Sequence, residues 1–263
     1  MTELVTRRLD GVAVYDRPAA PGAATPPARL VVVHGSLDRG ASFAKATRRL
    51  PDVEVTRYDR RGYGRSVDAG PGTVDQHVDD LLAVLDERPA VVVGHSFGGV
   101  LAILAAQRRP DLVPAVGAFE SPMPWAPWWP RSSAGSKAVL TAGEHGAGAA
   151  AESFLRRMIG DERWERLPPS TKEARRAEGA ALLAELREMR AVGPLYDPAE
   201  LTFPLVVGRG TTSDAHHRES ADRLAAGAPH ARLLVVDGAG HAAHSTHPDA
   251  FAGFVAAALA AGG

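Results

Sequence analysis

A chain of 263 residues can bury one substantial hydrophobic core, and 45% apolar with 23% charged residues is a composition typical of globular proteins. The 30 basic and 31 acidic residues leave a net charge of −1 without a basic stripe, so we expect neither a nucleic-acid partner nor an anionic membrane partner. Cysteine is absent, which excludes disulfides, thiolate metal sites and a cysteine nucleophile.

The start of the chain is charged and lacks the apolar run of a signal peptide. No later apolar run is long enough to span a bilayer. We therefore expect a cytoplasmic protein without a membrane partner, either a monomer or a homodimer.

Short apolar strands alternate with amphipathic helices up to residue 120. The predicted strands are Leu4–Leu9, Val12–Tyr15, Leu30–Val33, Val53–Tyr58, Ala90–Val93 and Ala115–Phe119. The predicted helices are Phe43–Leu50, Val74–Asp86 and Val100–Arg108. This alternation predicts an α/β fold with a mostly parallel sheet flanked by helices, which begins with a hairpin that turns at Asp10-Gly11.

The alternation stops after residue 120. Residues 121–197 show no strand pattern; they begin with SPMPWAPWWPR and continue as helical stretches such as Ala149–Ile159 and Lys172–Arg190. The elements predicted beyond them are the strands Leu205–Val207 and Leu233–Val236 and the helices Glu219–Ala226 and Pro248–Ala261. We predict a core of residues 1–120 and 198–263, with residues 121–197 inserted as a helical cap over the carboxyl edge of the sheet.

The segment VVVGHSFGG combines an apolar strand, a tight turn and the start of an apolar helix. Gly94-His95-Ser96-Phe97-Gly98 fits G-x-S-x-G in the strand–turn–helix context that a nucleophile elbow requires. Such a turn is strained, and a side chain two positions to either side of the serine would collide with it. A chance match in a chain with 27 glycines is the alternative, and the flanking strand and helix argue against it. Ser96 is therefore the predicted nucleophile.

A serine hydroxyl needs a general base within hydrogen-bond reach. His241 follows the last predicted strand on the glycine-rich loop DGAGH, where such a base is expected. A surface histidine is the alternative, because the chain has 10 histidines. His244 and His247 follow closely, but no carboxylate or thiolate completes a metal set with them, so we predict no metal and no cofactor.

Negative charge that develops on an acyl oxygen needs two backbone N–H donors. The amide of Phe97, at the start of the helix after the serine, is the first predicted donor. The amide of Ser36, in the HGS segment after strand Leu30–Val33, is the second, because Gly35 lets the backbone approach the site. A turn without this role is the alternative for that segment.

The third member of such a site is a carboxylate that accepts a hydrogen bond from the other ring nitrogen of His241. Asp214 follows the strand Leu205–Val207 and Glu120 ends the strand Ala115–Phe119, so both are expected at the sheet edge that carries the elbow. A glutamate at the end of so apolar a strand is costly to bury without a partner. The residues by themselves leave both candidates open.

The chain resembles the α/β-hydrolase superfamily, which contains esterases, lipases, thioesterases, perhydrolases and dehalogenases. The motifs that carry the resemblance cover nearly the whole length and occur in the order VVVHGSLDRGASF, YDRRGYGRS, VVVGHSFGG, AFESP and DGAGHAAH. Most relatives place the acid in a G-x-x-D turn after the strand matching Leu205–Val207, but here Asp214 comes three positions late. A smaller group carries a glutamate in an E-x-P turn, which Glu120-Ser121-Pro122 resembles. We favour Glu120 and keep Asp214 as the alternative.

Three of the 4 tryptophans, Trp125, Trp128 and Trp129, lie just after the candidate Glu120. They predict either an aromatic wall for an apolar acyl or alcohol group, or ordinary packing of the cap. Arg157, Arg163 and Arg166 could bind an acidic substrate, but we predict that they lie on an exposed helix face.

The residues and the resemblance together predict a serine hydrolase that acts on a small ester or thioester with an apolar portion. Acyl transfer or cyclisation, perhydrolysis, and a binding protein with little turnover are the alternatives. Serine at the elbow argues against dehalogenase and epoxide-hydrolase chemistry, for which this fold uses aspartate.

Overall fold

The strands of one central sheet come from both the first and the last part of the chain. A computed structural model describes residues 4–25 and 28–263, so residues 1–3 and 26–27 of the predicted core lie outside the described residues. The strands are β1 (Val5–Leu9), β2 (Val12–Arg17), β3 (Arg29–Val33), β4 (Glu54–Asp59), β5 (Val91–His95), β6 (Val116–Phe119), β7 (Leu205–Gly210) and β8 (Ala231–Val236). Their order across the sheet is β1-β2-β4-β3-β5-β6-β7-β8, with β1 and β2 antiparallel and the other pairs parallel. The prediction of a mostly parallel α/β sheet is confirmed.

Helices cover both faces of this sheet. They are α1 (Ala44–Thr47), α2 (Val74–Leu85), α3 (Phe97–Arg108), α4 (Ala134–Ile159), α5 (Asp161–Glu165), α6 (Pro169–Ala177), α7 (Gly179–Ala191), α8 (Ala215–Gly227), α9 (Ala243–Thr246) and α10 (Pro248–Ala261). A 3₁₀ turn at Gly40–Phe43 and the short α1 replace the longer helix predicted over Phe43–Leu50. No helix of the described ranges has the length and apolar character needed to cross a membrane.

Two hydrophobic cores follow from the alternation of side chains along each strand. In β3, Val31 and Val33 belong to the core under α2, α3 and α8, whereas Leu30 and Val32 belong to the core under α10. Because both faces are buried, the central strands are continuous runs of apolar residues instead of alternating ones. This is why they could be recognised in the sequence.

The helical insertion (residues 121–197) holds α4 to α7 and, in the structure as described, no strand. The predicted helix Ala149–Ile159 is the second half of α4, which bends at Gly146 where φ is +83°. The predicted helix Lys172–Arg190 is two helices, α6 and α7. A Cβ on Gly179, the first residue of α7, would lie 2.0 Å from the carbonyl oxygen of Ala147, so α7 begins where its backbone touches the bend in α4. The division into core and cap stays a prediction.

Parallel strands end at one edge of the sheet, and loops at that edge commonly form ligand sites. Strand β5 ends immediately before Ser96 and β6 immediately before Glu120, and the two strands are hydrogen-bonded neighbours. The loop after β8 carries His241 to the same edge. The strand order therefore places residues that are far apart in sequence around one point.

Candidate active site

Ser96 occupies the sharp turn between β5 and α3, with φ +54° and ψ −128°. A positive φ is strained for a residue with a side chain and is common at functional turns. A Cβ on Gly94 would lie 2.1 Å from the carbonyl oxygen of Gly98, and a Cβ on Gly98 would lie 2.2 Å from that of Val33. The collision that the motif predicts is therefore with neighbouring backbone and not with the serine.

His241 and Glu120 form a hydrogen bond although 121 positions separate them. His241 Nδ1 lies 2.6 Å from Glu120 Oε2. An ionised carboxylate only accepts hydrogen bonds, so Nδ1 carries the proton and donates. The other ring nitrogen, Nε2, is consequently the one available to accept a proton.

Glu120 is fully buried at the end of β6, where its φ is +49°. Its second oxygen, Oε1, accepts hydrogen bonds from the backbone N–H of Gly210 at 2.8 Å and from the hydroxyl of Ser213. Burial by itself would raise the pKa of the Glu120 carboxyl, but the hydrogen bonds and charge of His241, with those from Gly210 and Ser213, hold it below its usual value. Glu120 is therefore an anion at neutral pH.

Asp214, the alternative acid, is exposed and immediately precedes α8. Its backbone carbonyl accepts hydrogen bonds from the amides of His217 and Arg218, as expected at a helix start. In the described part of the chain, the carboxylate bonded to the His241 ring is that of Glu120.

The ring of His241 lies between two other imidazoles. His217 stacks on it at a centroid distance of 4.2 Å and an interplanar angle of 25°, and His95 lies at 4.5 Å and 49°. Burial, with the charge of His241, keeps the pKa of both His217 and His95 well below the usual value, so both are neutral. His95 Nε2 donates to the backbone carbonyl of His241 at 2.7 Å and so fixes the loop that carries it. The motif carries no signal for this contact, because His95 occupies the variable position of G-x-S-x-G.

Ser96 and His241 line one cavity of about 60 Å³. Its other walls include Phe154 and Met158 of α4 and Leu186 of α7. Among the hydrogen bonds of the described residues, none joins the Ser96 hydroxyl to the His241 ring. Such contacts are often long in ligand-free enzymes and shorten when substrate binds.

The two predicted N–H donors lie beside this cavity. Ser36 is one of its lining residues, and Phe97 is the first residue of α3, directly after the serine. The preceding His34 is buried, accepts from the amide of Arg60 at 2.8 Å and donates from Nδ1 to the carbonyl of Gly35 at 2.7 Å. Burial lowers the pKa of His34 to about 4, so it is a neutral structural residue that shapes the loop before Ser36.

Only one of the three tryptophans named from the sequence lines the cavity, and it is Trp129. Trp125 packs edge-on against Tyr196 at 5.4 Å, and Trp128 lies under the guanidinium of Arg223 at 5.1 Å. Trp128 and Trp129 lie 5.9 Å apart between ring centroids, but of the three only Trp129 reaches the cavity.

Two clusters in the described residues each bring three side chains of metal-ligand type close together. Asp38, His95 and His244 form one, and Glu120, His217 and His241 form the other, with potential ligand atoms within 4.8 Å of one another. The prediction that His244 lacks a carboxylate neighbour is wrong, because Asp38 Oδ2 lies 3.3 Å from its Nε2. Asp38 is 206 positions away and was not recognisable as a partner. Some of these atoms already form hydrogen bonds: His241 Nδ1 bonds to Glu120, and His95 Nε2 bonds to the backbone carbonyl of His241.

Comparisons with known proteins relate the chain to hydrolases. A family model described as "Alpha/beta hydrolase family" matches residues 30–254. Lipase LipV of Mycobacterium tuberculosis is 42% identical over 93 residues, which are 34% of this chain and 36% of LipV. The pimeloyl-[acyl-carrier protein] methyl ester esterase of Pectobacterium atrosepticum is 28% identical over 243 residues, which are 84% of this chain and 90% of the esterase.

The fold is also shared with solved structures. A hydrolase from Pseudomonas aeruginosa PA01 superposes with a TM-score of 0.72 and 21% identity, covering 98% of each chain, and this likeness concerns the fold alone. The matches to LipV and to three further curated relatives cover between 11% and 36% of the relative's length.

Proposed function

Because the chain belongs to the alpha/beta hydrolase family, we propose that it is a serine hydrolase that cleaves a carboxylic ester or thioester. Ser96 is the nucleophile, His241 the general base, and Glu120 the acid that orients His241. The amides of Ser36 and Phe97 bind the oxyanion. The helical insertion acts as a cap over the site.

The observation that carries this proposal is the 2.6 Å contact of the buried Glu120 with His241, on a cavity that His241 shares with the strained Ser96. A nucleophile and a base on one cavity, with an acid behind the base that orients it, are the requirements of acyl-enzyme chemistry. The lipase and esterase relatives support the same reaction class.

The reaction takes two steps. The Ser96 hydroxyl oxygen attacks the carbonyl carbon while His241 Nε2 takes its proton, and the negative oxygen is held by two N–H groups. When the intermediate collapses, His241 returns the proton to the leaving alcohol or thiol. Water then attacks the acyl-enzyme with His241 again as base, which releases the acid and restores Ser96. Glu120 keeps the Nδ1 proton in place and stabilises the imidazolium in both steps.

The size and lining of the cavity favour a small substrate. Its volume of about 60 Å³ is well below the few hundred Å³ typical of sites for larger ligands. Phe154, Met158, Leu186 and Met189 provide its apolar walls. We therefore expect a short acyl group with an apolar portion to be preferred over a long fatty acyl chain.

A fluorophosphonate probe and a series of 4-nitrophenyl esters, from acetate upward and beside a thioester, test the proposal. We expect the wild type to be labelled and to turn over short esters. Ser96→Ala should lose the label, and kcat should fall at least about 10³-fold. The exposed Ser132→Ala serves as the matched control and should behave as the wild type. Labelling that persists in Ser96→Ala, or a wild type that neither reacts with the probe nor cleaves any ester or thioester, overturns the assignment.

A further inference from the structure

Arg190 is a cation on the wall of the cavity that Ser96 and His241 share. It lies in the last turn of α7 and is half-buried. Within the described residues its guanidinium makes one hydrogen bond, from Nη2 to the hydroxyl of Ser136 at 2.5 Å. A guanidinium carries five N–H donors, so most of its hydrogen-bonding capacity is unused.

No carboxylate of residues 4–25 or 28–263 lies within 4.0 Å of a nitrogen of Arg190, whereas four of the other eight arginines of the helical insertion are paired with an acid. Arg156 and Arg176 both contact Glu152, and Arg175 contacts Glu178. Burial lowers the pKa of Arg190, and no neighbouring acid raises it again. An arginine nevertheless stays charged at neutral pH, so this position holds a partly desolvated positive charge without a counter-ion.

Two helix ends act on the charge of Arg190 in opposite directions. Its partner Ser136 lies in the first turn of α4, and the N-cap residue Ser133 bonds to the same hydroxyl at 2.8 Å. The amino end of α4 carries a partial positive charge, which repels the cation, whereas the carboxyl end of α7 carries a partial negative charge, which attracts it. Arg190 is thus a half-buried cation on the wall of the candidate catalytic cavity, and among the described residues it has no acidic partner.

We propose that Arg190 binds a carboxylate of the substrate, so that the preferred substrates are esters or thioesters that carry a second, ionised carboxyl group. The reaction in this proposal rests on the proposed function, whereas the recognition of the carboxylate rests on Arg190 alone. A carboxylate matches the planar guanidinium through paired hydrogen bonds. The apolar residues on the same wall, Leu186 and Met189, accommodate the methylene groups between that carboxylate and the reacting carbonyl.

Matched esters measure the effect. 4-Nitrophenyl hydrogen adipate carries a carboxylate on the acyl side, and 4-nitrophenyl hexanoate has the same chain length without it. 3-Carboxy-4-nitrophenyl hexanoate carries the carboxylate on the alcohol side. We expect the wild type to prefer one of the two charged esters by about 10- to 100-fold in kcat/KM, and the favoured ester identifies the side that Arg190 recognises.

Arg190→Met should remove this preference, because it removes the charge that binds the carboxylate. The measured quantity is the ratio of kcat/KM for the charged and neutral esters, which cancels any change that affects both substrates. Arg190→Gln also removes the charge while keeping a donor for Ser136, and it replaces Arg190→Met if that variant does not fold. Arg187→Met is the matched control, since Arg187 lies on the same helix but is exposed and does not line the cavity. A wild type without preference, or a preference that survives in both Arg190 variants, overturns the proposal.

A binding measurement separates this proposal from the catalytic one. Adipamate has a carboxylate and an unreactive amide, and hexanamide is its neutral counterpart. By titration calorimetry, adipamate should bind the wild type at least about tenfold more tightly than it binds Arg190→Gln, whether or not esters are cleaved. Equal affinities for the two proteins overturn the anion site even if Ser96 proves to be a nucleophile. If the fluorophosphonate and ester tests fail, the hydrolase assignment is overturned. The affinity of adipamate for the wild type and for Arg190→Gln still tests the anion site by itself.

Discussion

Glu120 combines three properties, each of which by itself would destabilise the folded protein. It is fully buried, it has a positive φ of 49°, and it carries a charge that hydrogen bonds from Gly210, Ser213 and His241 stabilise. A buried carboxylate with this many donors holds a fixed orientation. The consequence for His241 is that its ring has one tautomer and one direction.

Replacing Glu120 with glutamine tests this interpretation. Glu120→Gln keeps the shape and an acceptor for Gly210, but removes the charge that stabilises the imidazolium. We expect kcat on 4-nitrophenyl acetate to fall by about 10²- to 10⁴-fold with an unchanged fold by circular dichroism. Asp214→Asn changes an exposed residue and should keep kcat near the wild-type value. A large loss in Asp214→Asn with little loss in Glu120→Gln would transfer the role to Asp214.

Arg60 connects β4 to α7 through the interior of the protein. Its side chain is fully buried and pairs with the equally buried Glu185 at 3.0 Å. Its Nε donates to the carbonyl of His34 at 2.9 Å and its Nη2 to that of Gly35 at 3.1 Å. One residue of the helical insertion therefore neutralises the cation that holds the loop before Ser36.

Removing one partner of a buried ion pair leaves the other charge uncompensated. We expect Glu185→Gln to lower the free energy of unfolding by about 3–5 kcal/mol in urea titrations. It should also lower kcat, because Arg60 then holds the carbonyls beside Ser36 less firmly. Glu173→Gln, an exposed substitution on α6, should change neither quantity measurably. A Glu185→Gln protein with wild-type stability and wild-type kcat would show that the pair has no such role.

The contact between the helical insertion and the rest of the molecule includes a second buried carboxylate, Glu178. It accepts hydrogen bonds from the guanidinium of Arg39 and from the amide of Gly64 at 2.8 Å. Burial raises the pKa of Glu178 from 4.5 to about 7 in spite of the nearby Arg39. The folded protein therefore binds the proton of the Glu178 carboxyl group more tightly than the unfolded chain does.

This difference predicts how stability depends on pH. The contribution of Glu178 is complete below about pH 4.5 and is lost as the pH rises through about 7, because the folded state must then hold a buried anion. Over that interval we expect the wild type to lose stability relative to Glu178→Gln with a slope of at most about 1.4 kcal/mol per pH unit. Melting temperatures of both proteins between pH 5 and pH 8 measure it, with Glu173→Gln as a control that should follow the wild type. Parallel curves for wild type and Glu178→Gln would contradict the shifted pKa.

The limits of prediction are clearest in the helical insertion. Its helical character is visible in the sequence, but the bend of α4 at Gly146 and the break before Gly179 come from contact between the two helices. The environments of Trp125, Trp128 and Trp129 differ because their neighbours are Tyr196, Arg223 and the histidine pair at 216–217. Side-chain direction in a loop depends on its tertiary neighbours, and neither periodicity nor composition records them.

The amino-acid sequence determined the strands, their alternation with helices and the turn that holds Ser96, because these depend on short-range sterics and on apolar patterns a few residues long. The carboxylate that contacts His241 is identified by the fold and not by the sequence, since Glu120 and Asp214 both follow strands that end at one edge of the sheet. The fold also brought Arg190 to the cavity and Asp38 to His244, contacts across long stretches of chain that no local pattern encodes. The physical reason is the same for each: strand order and helix packing set distances between residues far apart in sequence, whereas the sequence alone sets only the conformation of near neighbours.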